Sequence, residues 1–238
     1  NGTKNVIEKV LEKNAKLVYV SSVHAITEKP NNEIMTEINY FEPDKVKGQY
    51  AKTKAEIANY VLEMVKARNL NACIVHPSGI IGPNDFGNSH LTQLIIDFAT
   101  GRLKACVKGG YDFVDVRDVA DGIISACNKG GRGECYILSN KYIEIKELLD
   151  NISEVMNIKK IKTILPMWIA KLTAPLSEKY YAILKEAPLY TSYSLYTLQS
   201  NSNFSNQKAK KELGYKNRKI KETIKDTIIW LKENGRIK

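Results

Sequence analysis

A tyrosine followed four residues later by a lysine can do proton chemistry, because on a helix the two side chains share one face. A phenol has a reference pKa of about 10 and exchanges protons poorly at neutral pH. A neighbouring ammonium favours the phenolate and brings the group toward the working range. The spacing alone selects nothing. With 13 tyrosines and 30 lysines in 238 residues, chance gives one or two such pairs, and four are present, at Tyr50/Lys54, Tyr142/Lys146, Tyr181/Lys185 and Tyr215/Lys219. Context separates the first. Tyr50 opens a helical stretch that follows a strand ending Val20-Ser21-Ser22 and precedes one ending His76-Pro77-Ser78-Gly79. The other three pairs have no serine-ended strand upstream. A Ser22 hydroxyl beside the phenol can hydrogen-bond a reacting carbonyl or alcohol oxygen, and the lysine can also anchor ribose hydroxyls.

The elements that must position these groups follow from periodicity. Thr3 to Asn14 reads as an amphipathic helix, with Val6, Val10 and Leu11 on one face. Lys16 to Ser22 is a short apolar strand. Gly48 to Asn69 is a helix whose Ala51, Ala55, Ala58, Leu62 and Val65 form a stripe at steps of three and four. Ala72 to His76 and Glu134 to Leu138 read as buried strands. Helices are expected at Leu91–Thr100, Arg117–Asn128, Ile145–Met156, Pro166–Leu184, Asn206–Leu213 and Ile220–Asn234. Strands alternating with helices predict an α/β fold with a mostly parallel sheet. In such sheets ligands bind beyond the carboxyl ends of the strands, which sets Ser22 and Pro77 to meet the Tyr50–Lys54 face. Residues 27–47 are polar and rich in Pro, Asn and Glu, a long excursion of the kind that is usually functional. Tyr111 and Trp168 read as packing residues.

Composition excludes several classes. The most apolar stretch, Ile164 to Leu176, is broken by Pro166, Lys171 and Pro175, so no run reaches spanning length, and no membrane partner is expected. The first residues lack the basic-then-apolar order of a signal peptide. Cys73, Cys106, Cys127 and Cys135 stand apart, and His24, His76 and His90 share no ligand spacing. The expectation is no metal site and buried free thiols in a reducing, cytoplasmic setting. The net charge is +10, but it comes from scattered lysines, with only six arginines and no interleaved aromatics, so nucleic acid is not an expected partner.

Ser22, Tyr50 and Lys54 resemble the Ser–Tyr–Lys triad of the short-chain dehydrogenase/reductase family. Further segments resemble its extended, epimerase/dehydratase-type branch. These are Asn1-Gly-Thr-Lys-Asn-Val, Pro77-Ser-Gly-Ile-Ile-Gly-Pro83, Asp112-Phe-Val-Asp-Val-Arg-Asp-Val-Ala-Asp121, Gly133-Glu-Cys-Tyr-Ile-Leu-Ser and Ala209-Lys-Lys-Glu-Leu-Gly-Tyr. The resemblance covers essentially the whole chain in family order. It implies a Rossmann-like NAD(P)-binding domain at 1–145, with a substrate-side insert near 84–110, and a helix-rich substrate-binding portion at 146–238. It also implies NAD or NADP as cofactor, with Lys54, Pro77, Ser78 and Gly79 shaping the nicotinamide side. His24, two residues after Ser22, is a candidate to face substrate and equally a structural histidine. Asp115 and Asp118 would fix their loop and cap the helix that starts at Arg117. The first two helices resemble the family's dimer-forming pair, so a homodimer is expected.

The family's glycine-rich turn and its ribose selector are not found in this sequence, and Asn1 lies past the position of the family's active-site Asn. The chain therefore resembles the C-terminal three-quarters of such a protein, with the sheet N-terminally truncated and weak cofactor binding expected by itself. Val23-His24-Ala25 stands where dehydratases carry an acidic pair, which disfavours dehydration. The Ser-Ser-Val-His-Ala and His-Pro-Ser-Gly segments look closer to dihydroflavonol-reductase-like and 3β-hydroxysteroid-dehydrogenase-like members. The implied reaction is hydride transfer with a small carbonyl or alcohol substrate and Tyr50 as proton donor. Nucleotide-sugar epimerisation is the alternative, and a non-catalytic cofactor-sensing or assembly role is the alternative of another class.

Overall fold

The computed structural model describes residues 2–30, 32–87, 89–184 and 191–238, and of 177, 178 and 180–184 the backbone only. Asn1 and Lys185, each part of a motif above, lie outside the described residues. In chain order the elements are α1 (Gly2–Glu12), β1 (Leu17–Val20), a 3-10 turn (Val23–Ala25), α2 (Gln49–Arg68), β2 (Ala72–Pro77), β3 (Gly79–Ile81), α3 (His90–Ala99), β4 (Cys106–Val107), β5 (Gly110–Asp115) and α4 (Val116–Lys129). There follow β6 (Cys135–Leu138), β7 (Lys141–Glu144), α5 (Ile145–Met156), β8 (Ile164–Leu165), α6 (Met167–Leu184), α7 (Ser192–Thr197), a π-type turn (Ala209–Leu213) and α8 (Ile220–Glu233). The expected helix at Asn206–Leu213 is thus largely this π turn, closed by Gly214 at φ 72. The chain forms an α/β, Rossmann-like fold in two compact units.

The first unit takes 1–80, 116–141 and 201–217. Its sheet has the order β1-β2-β6, parallel throughout, with Val20 paired to Val75 and Pro77 to Leu138. Every residue of β2 and β6 is buried, the signature of a parallel sheet covered on both faces. Helices α2 and α4 pack against β2. The alanine stripe read from the sequence is what lets α2 approach: Ala51, Ala55 and Ala58 are fully buried. On α4, a Cβ at Gly122 would come within 2.9 Å of the Leu138 side chain, so glycine there lets the helix lie against β6 without moving that leucine.

The excursion at 27–47 is tied down by its own backbone accounting. Met35 bridges Phe204 in parallel, its N–H donating to the Asn203 carbonyl at 2.8 Å and its carbonyl accepting from Ser205 N at 2.9 Å. Asn201 Nδ2 donates to the carbonyls of Lys29 and Glu33, at 3.0 and 2.8 Å. Phe41, fully buried, has both backbone groups held by the Asn59 amide at 2.8 Å. Burying one phenylalanine contributes about 1.5–3 kcal/mol. Glu37 accepts from the backbone N–H of Ile137 on the edge strand β6 at 2.9 Å.

The second unit takes 81–115, 142–200 and 218–238. It contains β5, the parallel β4–β8 pair, and α5 packed between α3 and α8. The amphipathic α8 buries Ile224, Ile228 and Leu231 on one face. Tyr111 is buried edge-on to Phe113, as packing residues are. Trp168 differs from the sequence reading: it is 67% exposed, because α6 buries Ala170 and Ala174 on its opposite side. Cys127 departs likewise; it is exposed on α4 while the other three free cysteines are buried.

Candidate active site

Parallel pairing puts the carboxyl ends of β1 and β2 side by side. Since Val20 pairs with Val75, Ser22 and Pro77, each two residues on, lie level. Ser22 turns the chain: its backbone is extended, its Oγ caps the 3-10 turn by accepting from His24 N at 3.2 Å, and it is buried. Helix α2 then begins at Gly48, whose φ of 92 is a conformation that side chains resist, and so places Tyr50 and Lys54 in the first two turns. Tyr50 keeps 53% of its surface exposed, as a group meeting a ligand must.

Lys54 is held in place. Its Nζ donates to the Val20 carbonyl at 2.9 Å and lies 5.9 Å from the centre of the Tyr50 ring. The other flank of the ammonium is Tyr19, with its ring centre at 5.4 Å, within cation–π range. Burial lowers the Lys54 pKa from its ordinary value. The Tyr19 phenol is pushed up to about 12 by burial and then by Tyr50, so it remains protonated. His24 stands edge-on to Tyr50 at 6.2 Å, and burial lowers its pKa. The structure thus gathers His24, Tyr50 and Lys54 around one another, with Ser22 on the adjoining turn.

Two residues of this cluster were not picked out by pattern. His76 sits fully buried on β2, its ring 5.3 Å from that of Phe41. Its Nδ1 lies 3.0 Å from the Ser22 carbonyl. A carbonyl only accepts, so that nitrogen carries the proton and donates. Burial first, and Lys54 as well, push its pKa down to about 4. Tyr19 is the second. The legible signal for His76 was a polar ring inside an otherwise apolar strand; for Tyr19 there was none, because an aromatic on a strand is ordinary core.

Pro77, Ser78 and Gly79 lie where β2 ends and β3 begins; Ser78 N donates to the Leu138 carbonyl at 3.2 Å. Among the described residues, the Tyr19 hydroxyl and Ser21 Oγ are buried and find no hydrogen-bond partner. An unpaired hydroxyl on the ring that flanks the held ammonium fits a polyhydroxyl group such as the ribose of a nicotinamide nucleotide. A separate cavity of about 430 Å³, lined by Lys108, Ile164, Pro166, Met167 and Leu198 among others, belongs to the second unit and contains none of these residues. Among the described residues no three His, Cys, Asp or Glu side chains converge as a metal site.

The family described as NAD dependent epimerase/dehydratase matches residues 1–139. Sterol demethylase protein B of Methylococcus capsulatus is 30% identical over 229 residues, 93% of this chain and 68% of the relative. A putative dihydroflavonol 4-reductase of Synechocystis is 28% identical, covering 100% of this chain and 70% of the relative. The crystal structure of gox2253 superposes with a TM-score of 0.83 at 32% identity, over 100% of this chain and 72% of that one. More distant structures sharing the fold hold NAD or NADPH, among them RMD from Pseudomonas aeruginosa with NADPH, TM-score 0.72 at 14% identity over 98% of this chain and 72% of that one. The family's own description names its cofactor class, a nicotinamide adenine dinucleotide. This chain belongs to the NAD dependent epimerase/dehydratase family, within the extended short-chain dehydrogenases/reductases.

Proposed function

We propose that the protein is an NAD(P)-dependent oxidoreductase that interconverts a small carbonyl compound and its alcohol. The observation that carries this reading is Lys54, pinned at 2.9 Å to the strand end that leads into Ser22 while facing the Tyr50 ring at 5.9 Å. Lys54 and the Pro77–Gly79 turn would hold the nicotinamide ribose, and the bound dinucleotide supplies or accepts the hydride. Ser22 Oγ donates to the substrate oxygen and fixes it beside the phenol. In the reducing direction Tyr50 gives its proton to that oxygen, and the Lys54 ammonium stabilises the phenolate left behind. His24, edge-on to Tyr50, lines the substrate side. The names of several relatives, a dihydroflavonol 4-reductase and 3beta-hydroxysteroid-dehydrogenase/decarboxylase isoforms of Arabidopsis thaliana, support hydride transfer with a ring-bearing substrate.

The second reading is nucleotide-sugar epimerisation, favoured by 27% identity to a UDP-glucose 4-epimerase over 180 residues. The test is oxidation of NADH or NADPH against a panel of ketones and aldehydes, with Tyr50→Phe beside it. Turnover that falls by about 10²–10⁴-fold in the variant supports the reductase. Interconversion of UDP-sugars without net cofactor change would replace it with the epimerase. Cofactor binding with neither activity would leave a sensing or assembly protein.

A further inference from the structure

Helix α6 presents its large apolar side chains to solvent and buries its small ones. Trp168, Leu172 and Leu176 follow at steps of four, so they share one stripe, and they are 67%, 70% and 69% exposed. On the other side Ala170 and Ala174 are buried with Leu195, against Val107 and Met167. Single exposed leucines are common on protein surfaces; a stripe of three large apolar residues on one helix marks a contact face. Among the described residues its charged neighbours are cationic. Lys179, eleven residues and about three turns after Trp168, falls on the same stripe, and Lys171 flanks it; both are exposed. From Lys159 to Lys179 the chain carries five lysines and one acid, Glu178.

An apolar stripe with tryptophan at one end and ammonium groups on and beside it matches the chemistry of a bilayer interface. Leucines enter the acyl boundary, the indole sits at headgroup level, and long lysines reach phosphate. A second copy meeting this stripe with its own would gather four ammonium groups, Lys171 and Lys179 of each copy, around one contact, which favours an anionic surface over self-pairing. Among the described residues no helix is long and apolar enough to cross a membrane. The expectation of no membrane partner rested on that kind of run, and lying on a surface needs a stripe instead. We propose that α6 seats the second unit on an anionic phospholipid surface through Trp168, Leu172 and Leu176.

The chain has two tryptophans, and Trp230 is buried against Phe86, so a change in emission reports Trp168. The test is co-sedimentation and fluorescence with vesicles of phosphatidylcholine alone and of phosphatidylcholine with phosphatidylglycerol. The expected result is a blue-shifted emission and binding to the anionic vesicles about tenfold or more above the neutral ones, weakened by salt. The variant Trp168→Ser/Leu172→Ser/Leu176→Ser, with its fold verified by circular dichroism, should lose about tenfold or more of that binding. The proposal is overturned by equal binding to both vesicles, by undiminished binding of the variant, or by no binding at all. A vesicle-free dimer that the variant abolishes would overturn it too, by making a second copy the occupant.

Discussion

At the scale of single residues, His76 carries a consequence that can be read with a pH meter. Its pKa is about 4 in the folded chain against an ordinary 6.5, chiefly through burial. The unfolded chain therefore binds the extra proton first as pH falls. Stability from this group is complete above pH 6.5 and drains away as pH drops from there toward 4, by on the order of 3 kcal/mol. Thermal unfolding across that window should show the slope. His76→Phe should flatten it while costing about 0.5–1.5 kcal/mol at pH 7, because the Ser22 carbonyl loses one of its two donors and keeps Ala25 N at 3.1 Å. A slope unchanged in the variant would assign the pH dependence elsewhere. For the proposed chemistry, Ser22→Ala should lower turnover by about 10²–10³-fold with the fold intact, the scale of losing one donor to a developing oxyanion. A variant as fast as the parent would remove Ser22 from the reaction.

At the scale of elements, the segment from 27 to 47 shows how an irregular stretch becomes part of a core. Its polar composition identified a long connection, but what fixes it lies some 170 residues downstream. Asn201 uses its whole side chain: Nδ2 on the Lys29 and Glu33 carbonyls and Oδ1 accepting from Asn203 N at 2.9 Å. Its backbone N–H also donates to Glu28 Oε1 at 2.6 Å. Asn201→Ala strands two carbonyls and should cost about 1–3 kcal/mol. Hydrogen exchange should then rise first in residues 28–35, with β2 and β6 still protected; uniform exchange everywhere would show that the segment is not held locally. Helices α1 to α6 and α8 and strands β1, β2 and β6 were legible within a residue or two, since α2 and α5 repeat at 3.6 and β2 and β6 are continuous apolar runs, whereas α7 and β5 were not read as elements. The short strands β3, β4, β7 and β8 were not, because two to four residues give no measurable period.

At the scale of the whole molecule, the two units interleave along the chain, so neither is a single stretch of sequence. Within the first, α1 and α2 lie together through Arg68 and Glu8 and through Lys4 over the Tyr60 ring. Val6 on α1 is 51% exposed while Ile7 is fully buried, so the pair presents one large apolar side chain at its solvent edge. We propose this edge as a homodimer contact. Light scattering should give twice the chain mass, and Val6→Glu should return it to the monomer without loss of helix content. A monomeric parent chain would count against the contact.

What the sequence determined by itself was the fold class and the family, and it singled out Tyr50 and Lys54 as the candidates among four equally spaced pairs. Those rest on order along the chain: periodicity, strand ends and motif succession are one-dimensional properties. Only the tertiary structure decided what surrounds them. The sequence could not show that Val20 holds Lys54, that His76 holds Ser22, or that Trp168 faces water. Each depends on which residues, dozens of positions apart, arrive at the same place, and parallel pairing of β1 with β2 brings the Tyr50–Lys54 pair, Ser22 and His76 to one strand end.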